Sequence, residues 1–356
     1  MSGLHVRPRE IRLEASSFCQ LRCPSCPTTS RAIHPAVGGG FLELDEFRRL
    51  LDANPRIRAV ELSNYGEIFL NPELSGIVKE AFRRGVRLTA DNGVNLNRAS
   101  EEVLEDLVRY RFHSMMCSID GASQETYEKY RVRGDFDAVM RNVATLNELK
   151  RHQRTRRPRM MWQFVVFGHN EHEVPRAREM ARRTGMGFRV KLSWDPDFSP
   201  IRDRERVRRE VGLGAATREE FRARHGRAYL DEICHQLWDE PQINWDGKVL
   251  GCCRNFWGDF GGNAFEDGLE AGLNHEKMRY AKEMLLGSKP ARPDIPCSTC
   301  DIYLERKATG RWVPRGAHAR RAWRLRARLA HTFQDLSRWF RAARRRRSTP
   351  SPQEAP

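Results

Sequence analysis

The stretch Glu10-Ile-Arg-Leu-Glu-Ala-Ser-Ser-Phe-Cys19-Gln-Leu-Arg-Cys23-Pro-Ser-Cys26-Pro27 runs a short strand-like segment straight into three cysteines with gaps of three and two residues. That spacing can place three thiolates around one iron-sulfur cluster, one ligand short of the four cysteines that a [4Fe-4S] cube normally takes. The remaining iron is then open to something that is not protein, as in catalytic rather than structural metal sites. Two other readings fit the same residues. One is a zinc knuckle, for which His34 is the only nearby fourth ligand; the other is three unrelated core thiols.

Outward from this stretch, short runs rich in β-branched and aromatic residues alternate with longer segments of helical periodicity, the pattern of βα units around a parallel sheet. The spacing predicts strands near 10–15, 58–63, 86–91, 114–120, 160–167 and 188–193, and helices near 43–53, 71–84, 100–110, 135–150 and 171–183. Six strands with no clear seventh predict an α/β fold, a partial (βα)6 barrel of the TIM type. Barrels of this kind carry their chemistry at the carboxyl ends of the strands, where the cysteine loop falls.

The triplet resembles the C-x3-C-x2-C signature of the radical S-adenosylmethionine (radical SAM) superfamily. The resemblance implies a [4Fe-4S] cluster on Cys19, Cys23 and Cys26 whose open iron is chelated by S-adenosylmethionine, and reductive cleavage to a 5′-deoxyadenosyl radical. Further strand-end elements resemble the family in order. Asn64-Tyr65-Gly66-Glu67 stands where the family has Gly-Gly-Glu, with the first glycine replaced, and Glu67 would meet the cofactor's ammonium group. Asp91-Asn92-Gly93 stands for Thr-Asn-Gly and by itself reads as a turn. Cys117-Ser118-Ile119-Asp120-Gly121 followed by Tyr127 and Arg131 is similar to Ser-x-Asp-Gly…Tyr-x-x-x-Arg, with Ser118 facing the cofactor and Arg131, or Arg133, holding its carboxylate. Asn170 matches more loosely. The resemblance thus implies cofactor contacts from Asn64, Gly66, Glu67, Asn92, Ser118, Arg131 and Asn170. Side-chain alternation turns Cys117 to the helices, as an inert core thiol. The residue before the third cysteine, often aromatic and near the adenine in this family, is Ser25, so adenine contacts must come from elsewhere.

A second group comprises Cys234, Gly247, Cys252 and the Cys297-Ser-Thr-Cys300 pair. It resembles the opening of a SPASM domain closed by C-x2-C, in the shortened twitch form with one auxiliary [4Fe-4S] cluster on Cys234, Cys252, Cys297 and Cys300. Four thiolates would serve zinc equally. Cys253 could replace Cys252 as ligand, pack as an inert thiol, or act catalytically by returning hydrogen to a substrate radical. Asp246-Gly247 predicts a hairpin between 242–245 and 248–252. The organisation expected is a core over 8–200, a linker over 201–228, the auxiliary domain over 229–305 and a basic tail over 306–356.

The net charge of +16 sits mostly in that tail. From Arg306 onward 15 Lys and Arg oppose only Asp335 and Glu354, leaving 48 basic against 45 acidic residues before it. Leu325, Leu329, Phe333, Leu336 and Phe340 form one apolar helical face, with Trp323 and Trp339 suited to an interface, and residues 344–347 are all arginine. Such a helix can pack on the barrel or lie on an anionic membrane surface; specific nucleic-acid binding is not expected, because no base-stacking module accompanies it. With no signal-peptide core and no apolar run of membrane-spanning length, a cytoplasmic protein is expected, peripheral to the inner face of the membrane if the tail binds lipid.

These expectations combine into a radical SAM oxidoreductase acting on a C–H bond of a sugar, cyclitol or similar small molecule, by dehydrogenation or epimerisation, with a flavodoxin- or ferredoxin-type reductant. The alternatives are a maturase of a ribosomal peptide, and a non-catalytic iron-sulfur or zinc protein working through its tail.

Overall fold

Parallel strands β1 (Glu10–Leu13), β2 (Ala59–Glu61), β3 (Arg87–Val94), β4 (Ser114–Ser118), β5 (Arg159–Val166) and β6 (Gly187–Leu192) lie side by side in chain order in a computed structural model that describes residues 4–323 and Leu325. Helices α1 (Leu44–Ala53), α2 (Leu74–Arg83), α3 (Glu101–Arg109), α4 (Gln124–Tyr130), α5 (Phe136–His152) and α6 (Val174–Arg183) connect and cover them. The result is the expected partial α/β barrel. Local sequence explains each unit, and α5 shows how. Phe136, Val139, Val143 and Leu146 recur every three or four residues and are buried. The Asp135 carboxylate caps the first turn by accepting from the Ala138 N–H at 2.8 Å, and Lys150, Arg151 and His152 meet the negative end of the helix dipole. Trp162, fully buried on β5, donates from Nε1 to the Ile119 carbonyl at 2.7 Å and touches the rings of Phe136 and Phe188, locking β5 to α5 and β6.

Three departures from expectation have clear physical causes. Asp91-Asn92-Gly93 is not a turn after β3 but part of it, where the register with β4 shifts between Ala90 and Val94. The Asp91 and Asn92 N–H groups turn away to the buried Glu61 carboxylate, at 2.9 and 3.3 Å. The expected linker is folded: α7 (Arg204–Val211) and α8 (Arg218–His225) bury Val207, Val211 and Phe221, a sparse apolar set that suffices because the rest of each helix faces water. The expected hairpin forms as β7 (Gln242–Ile243) and β8 (Val249–Gly251), and Gly247 has φ +85, which favours glycine. Instead of belonging to a separate unit, β7 pairs in parallel with β1, giving one sheet ordered β6-β5-β4-β3-β2-β1-β7-β8. The change of composition near residue 229 therefore does not mark a break in the sheet.

Short helices α9 (Gln236–Asp239), α10 (Leu269–Leu273), α11 (Glu276–Leu285) and α12 (Asp301–Thr309) complete the described chain. The start of the tail packs on the body, with the Arg306 guanidinium 5.0 Å over the Trp323 ring. The remainder of the expected amphipathic face, Leu329, Phe333, Leu336 and Phe340, with Trp339 and residues 344–347, lies outside the described residues. Among the described residues no helix is long and apolar enough to cross a membrane.

Candidate functional site

The cysteine loop leaves the carboxyl end of β1 and rests on a small apolar pad of its own. Leu21, Tyr130, Val165 and Phe167 are buried beneath Cys23, with Cys19, Cys26 and Phe198 packed at the edge. Each thiol has a distinct neighbour. The Asn95 side-chain N–H points at the Cys19 sulfur from 3.7 Å, and Gln20 holds that amide in place by donating to its oxygen at 2.8 Å. Arg131 points Nη1 at the Cys23 sulfur from 3.7 Å while its Nε is fixed at 2.7 Å to Asp120, a carboxylate with no exposure at all. Burial, then the nearby Glu67 carboxylate and the other two thiols, push Cys19 up to about 12. The donor set fits a cluster: three neighbouring thiols in an apolar setting, with a cation and an amide N–H aimed at sulfur, favour the thiolate form once a metal supplies positive charge.

The strand-end residues divide by how their side chains are used. Asn64, Asn92 and Ser118 form a polar floor: Asn92 Nδ2 donates to Asn64 Oδ1 at 3.1 Å, and Ser118 Oγ accepts from Gln163 at 3.3 Å. Gln163 Oε1 is buried with no hydrogen-bond partner, capacity that a bound polar ligand can use. Glu67, by contrast, accepts from the backbone N–H groups of Asn95 at 2.6 Å and Phe69 at 3.3 Å, and burial raises it to about 7. Asn170 is wholly buried, and its side chain bonds the backbone of Phe167, Asp120 and Val165. Arg131 serves Asp120 and Cys23. Arg133 lies farther along the same loop at φ +70 and is exposed.

Gly66 is required for a reason that the motif alone does not give: a Cβ there would stand 2.0 Å from the Ser16 carbonyl oxygen. The strand-two loop is thus pressed against the backbone leading into the cysteine loop. Glu14 ties the two together from below, accepting from Tyr65 N at 3.0 Å and Gly66 N at 3.2 Å, and burial lifts its pKa to about 8. Tyr65, which occupies the place of the missing glycine, donates its hydroxyl to the Cys253 carbonyl at 2.8 Å.

Cys234, Cys252, Cys297 and Cys300 come from three separate segments, yet are close enough to raise one another's thiol pKa, Cys234 to about 11 with burial as the largest cause. The Arg306 guanidinium lies beside Cys234. Cys253, the next residue, also raises the Cys252 thiol. Its N–H donates to Gln236 Oε1 at 2.8 Å, and it lines a cavity of about 740 Å³ together with Tyr65, Ser25, Trp194, Phe198 and Arg218. Cys252 lies close to the other three thiols, and Cys253 lies beside Cys252 at the cavity wall. Among the described residues no three His, Cys, Asp or Glu side chains are arranged as ligands to a single ion. Cys117 is fully buried in the main core, as alternation required.

Sequence reading passed over Glu14, Glu61 and Asn95, although acids at the carboxyl ends of apolar strands are a usable signal. It also left the aromatic contact open. Trp194, 44% exposed just after β6, donates its indole N–H to the Ser25 carbonyl at 3.1 Å, and Ser25 Oγ donates to Asp195 at 2.5 Å.

An open parallel barrel whose first strand delivers three thiols to the strand ends defines a class of protein that builds a cluster with an incomplete protein ligand set. Residues 13–181 match the model of the Radical SAM superfamily. The chain is also similar to the AdoMet-dependent heme synthase of Methanosarcina barkeri, 28% identical over 151 residues, and spans 42% of that relative's length, the match covering 42% of this chain. Its fold is similar to that of SuiB from Streptococcus suis bound to S-adenosylmethionine, with a TM-score of 0.59 at 14% identity over 83% of this chain and 71% of SuiB. SuiB bound to its precursor peptide SuiA gives 0.58 at 13% identity, over 83% and 70%.

Proposed function

We propose that the chain is an oxidoreductase acting on a C–H bond of a sugar, cyclitol or similar polar metabolite, by dehydrogenation or epimerisation. Cys19, Cys23 and Cys26 would hold the [4Fe-4S] cluster, with Asn64, Asn92 and Ser118 toward S-adenosylmethionine, and Cys234, Cys252, Cys297 and Cys300 would hold an auxiliary cluster. Bound together and reduced by a flavodoxin- or ferredoxin-type protein, the first cluster and its cofactor supply a 5′-deoxyadenosyl radical able to take hydrogen from unactivated carbon.

The observation that carries this reading is the place of Cys253 on the wall of the cavity. Cys252 joins the buried thiol group while Cys253 stands on the wall of the cavity, its backbone pinned by Gln236 on one side and Tyr65 on the other. A thiol so fixed can give one hydrogen atom to a substrate radical held against it, forming C–H and breaking S–H, and one electron from the same reductant with one proton then returns the Cys253 thiyl radical to the thiol; this is the step that makes an epimer. The cavity itself, about 740 Å³, is of the size that encloses a small metabolite, roughly 300–1,000 Å³, and this favours a metabolite over a peptide. Its lining mixes apolar rings with convergent polar groups, as orientation of a small polar molecule requires.

The test uses reconstituted, reduced protein in D2O with S-adenosylmethionine and a panel of sugars and cyclitols. A substrate should raise 5′-deoxyadenosine formation. An epimerised product should carry one deuterium from the solvent-exchanged thiol, and Cys253→Ala should abolish that product while 5′-deoxyadenosine still forms. Stimulation by a peptide and by no small metabolite would overturn the proposal.

A further inference from the structure

The amino ends of the barrel strands, at the opposite end from the cysteine loop, carry a dense row of arginines. Backbone pairing sets Arg9, Arg58 and Arg87 side by side at the entries to β1, β2 and β3: the Arg58 N–H donates to the Arg9 carbonyl at 2.8 Å and the Arg87 N–H to the Arg58 carbonyl at 2.9 Å. His113 and Arg159 continue the row at the entries to β4 and β5, the Arg159 N–H donating to the His113 carbonyl at 3.1 Å. The loop before β5 adds Arg154, Arg156 and Arg157, and the loop before β4 adds Arg111; all of these arginines are exposed.

Arg87 meets the Glu10 carboxylate at 3.0 Å, whereas among the described residues the others form no ion pair. Many exposed arginines of the helices are instead matched by a carboxylate one turn away, as Arg49 is by Glu46, Arg109 by Glu105 and Arg182 by Glu179. Before Arg306 the chain is nearly balanced, with 48 basic against 45 acidic residues, so this face is a segregation of charge. The His113 ring lies between the Arg157 and Arg159 guanidinium groups and is lowered to about 4, by burial first and then by Arg157, Arg159 and Arg87. Such a positive field attracts anionic partners over a Debye length of about 8–10 Å.

Apolar surface lies beside the arginines. Phe82, near the end of α2, is 48% exposed, and its ring is 5.8 Å from that of Tyr110. The two line a cavity of about 330 Å³ together with Arg87, Arg111 and Arg157, and no carboxylate residue lines it. Rings beside exposed bases suit the headgroup layer of a bilayer, where carbon meets the ring and phosphate meets the cation. The tail starts against a segment that enters the same sheet. Arg320 lies 5.0 Å over the ring of Trp238 on α9, just before β7, which is parallel to β1. Beyond Leu325 the sequence sets Leu329, Phe333, Leu336 and Phe340 at steps of three or four and carries arginine throughout 344–347. A nucleic acid would use the charge but not this apolar series, so an anionic bilayer accounts for more of what is present.

We propose that the amino end of the barrel is a docking face for an anionic lipid bilayer, held through Arg58, Arg111, Arg154, Arg156, Arg157 and Arg159 together with the basic tail, with the 740 Å³ cavity turned toward water. None of these six arginines lines that cavity, so the inference goes beyond the proposed reaction and does not depend on it.

The experiment measures co-sedimentation of the reconstituted full chain with vesicles of phosphatidylcholine, and with vesicles of phosphatidylcholine and phosphatidylglycerol in equal parts, over a range of salt. Binding to the mixed vesicles alone is expected, weakening as salt rises. Combining Arg154→Glu, Arg156→Glu and Arg157→Glu should weaken that binding by about tenfold or more, with circular dichroism unchanged. Arginine modification by phenylglyoxal, mapped by mass spectrometry on the unaltered chain, should slow at Arg154, Arg156 and Arg157 when mixed vesicles are added, a readout that holds even where the variant fails to fold. No binding, equal binding to both kinds of vesicle, a folded variant that binds like the parent, arginines left unprotected, or tighter binding of polyuridylate than of the mixed vesicles would each overturn the proposal.

Discussion

In the proposed reading Cys252 and Cys253 divide two duties across a single peptide bond, and Tyr65 shows how a departure from a motif can be put to use. Where a glycine would leave the strand-two loop free, the Tyr65 hydroxyl reaches across to the Cys253 carbonyl at 2.8 Å. Tyr65→Phe removes that bond and should cost about 1 kcal/mol by urea denaturation, with a larger loss in Cys253-dependent product formation than in 5′-deoxyadenosine. Gly66→Ala is a harsher change. The new Cβ would stand 2.0 Å from the Ser16 carbonyl oxygen, which backbone cannot yield cheaply, so a loss of about 2 kcal/mol or more is expected in the same measurement. Glu14 adds a pH signature. Its folded pKa of about 8 lies above its ordinary 4.5, so the stability it contributes is complete below about 4.5 and is lost as pH rises through about 8. Glu14→Gln should therefore gain on the parent as pH rises from 5 to 8, with a slope of at most about 1.4 kcal/mol per pH unit. A stability difference independent of pH would contradict the assignment.

At the scale of elements, hydrophobic periodicity located all six barrel strands and five of the helices between them, missing the short α4, because burial on both faces of a parallel sheet writes long apolar runs into the sequence. The Asn92-Gly93 irregularity was misread as a turn because its cause, the Glu61 carboxylate capturing two N–H groups, comes from the neighbouring strand. The docking of β7 on β1 was illegible for the same kind of reason: a two-residue strand has no period, and its partner lies more than two hundred residues away. The four thiols of the second group were legible as residues, whereas the place of Cys253 on the cavity wall depends on Gln236 and Tyr65, which no spacing relates to it. If the four act as one ligand set, Cys297→Ala should reduce iron from about eight to about four per chain, with one [4Fe-4S] signal remaining by Mössbauer spectroscopy. Cys253→Ala should leave iron content unchanged.

Across the whole molecule, the β7–β8 hairpin extends the barrel sheet on the β1 side, and the cavity is closed by pieces from the cysteine loop, the segment after β6, α8 and the loop after β8. This arrangement explains why the expected linker is folded: Arg218, the residue of α8 that binds the Leu192 carbonyl, belongs to the cavity wall. The central claim is that the three thiols after β1 make this chain a source of radical chemistry. Its most direct test is the formation of 5′-deoxyadenosine from S-adenosylmethionine by the reconstituted, reduced full chain, beside a Cys19/Cys23/Cys26→Ala triple variant. The account predicts product from the parent chain and none from the variant; equal product from both, or none from the parent under any reductant, would contradict it.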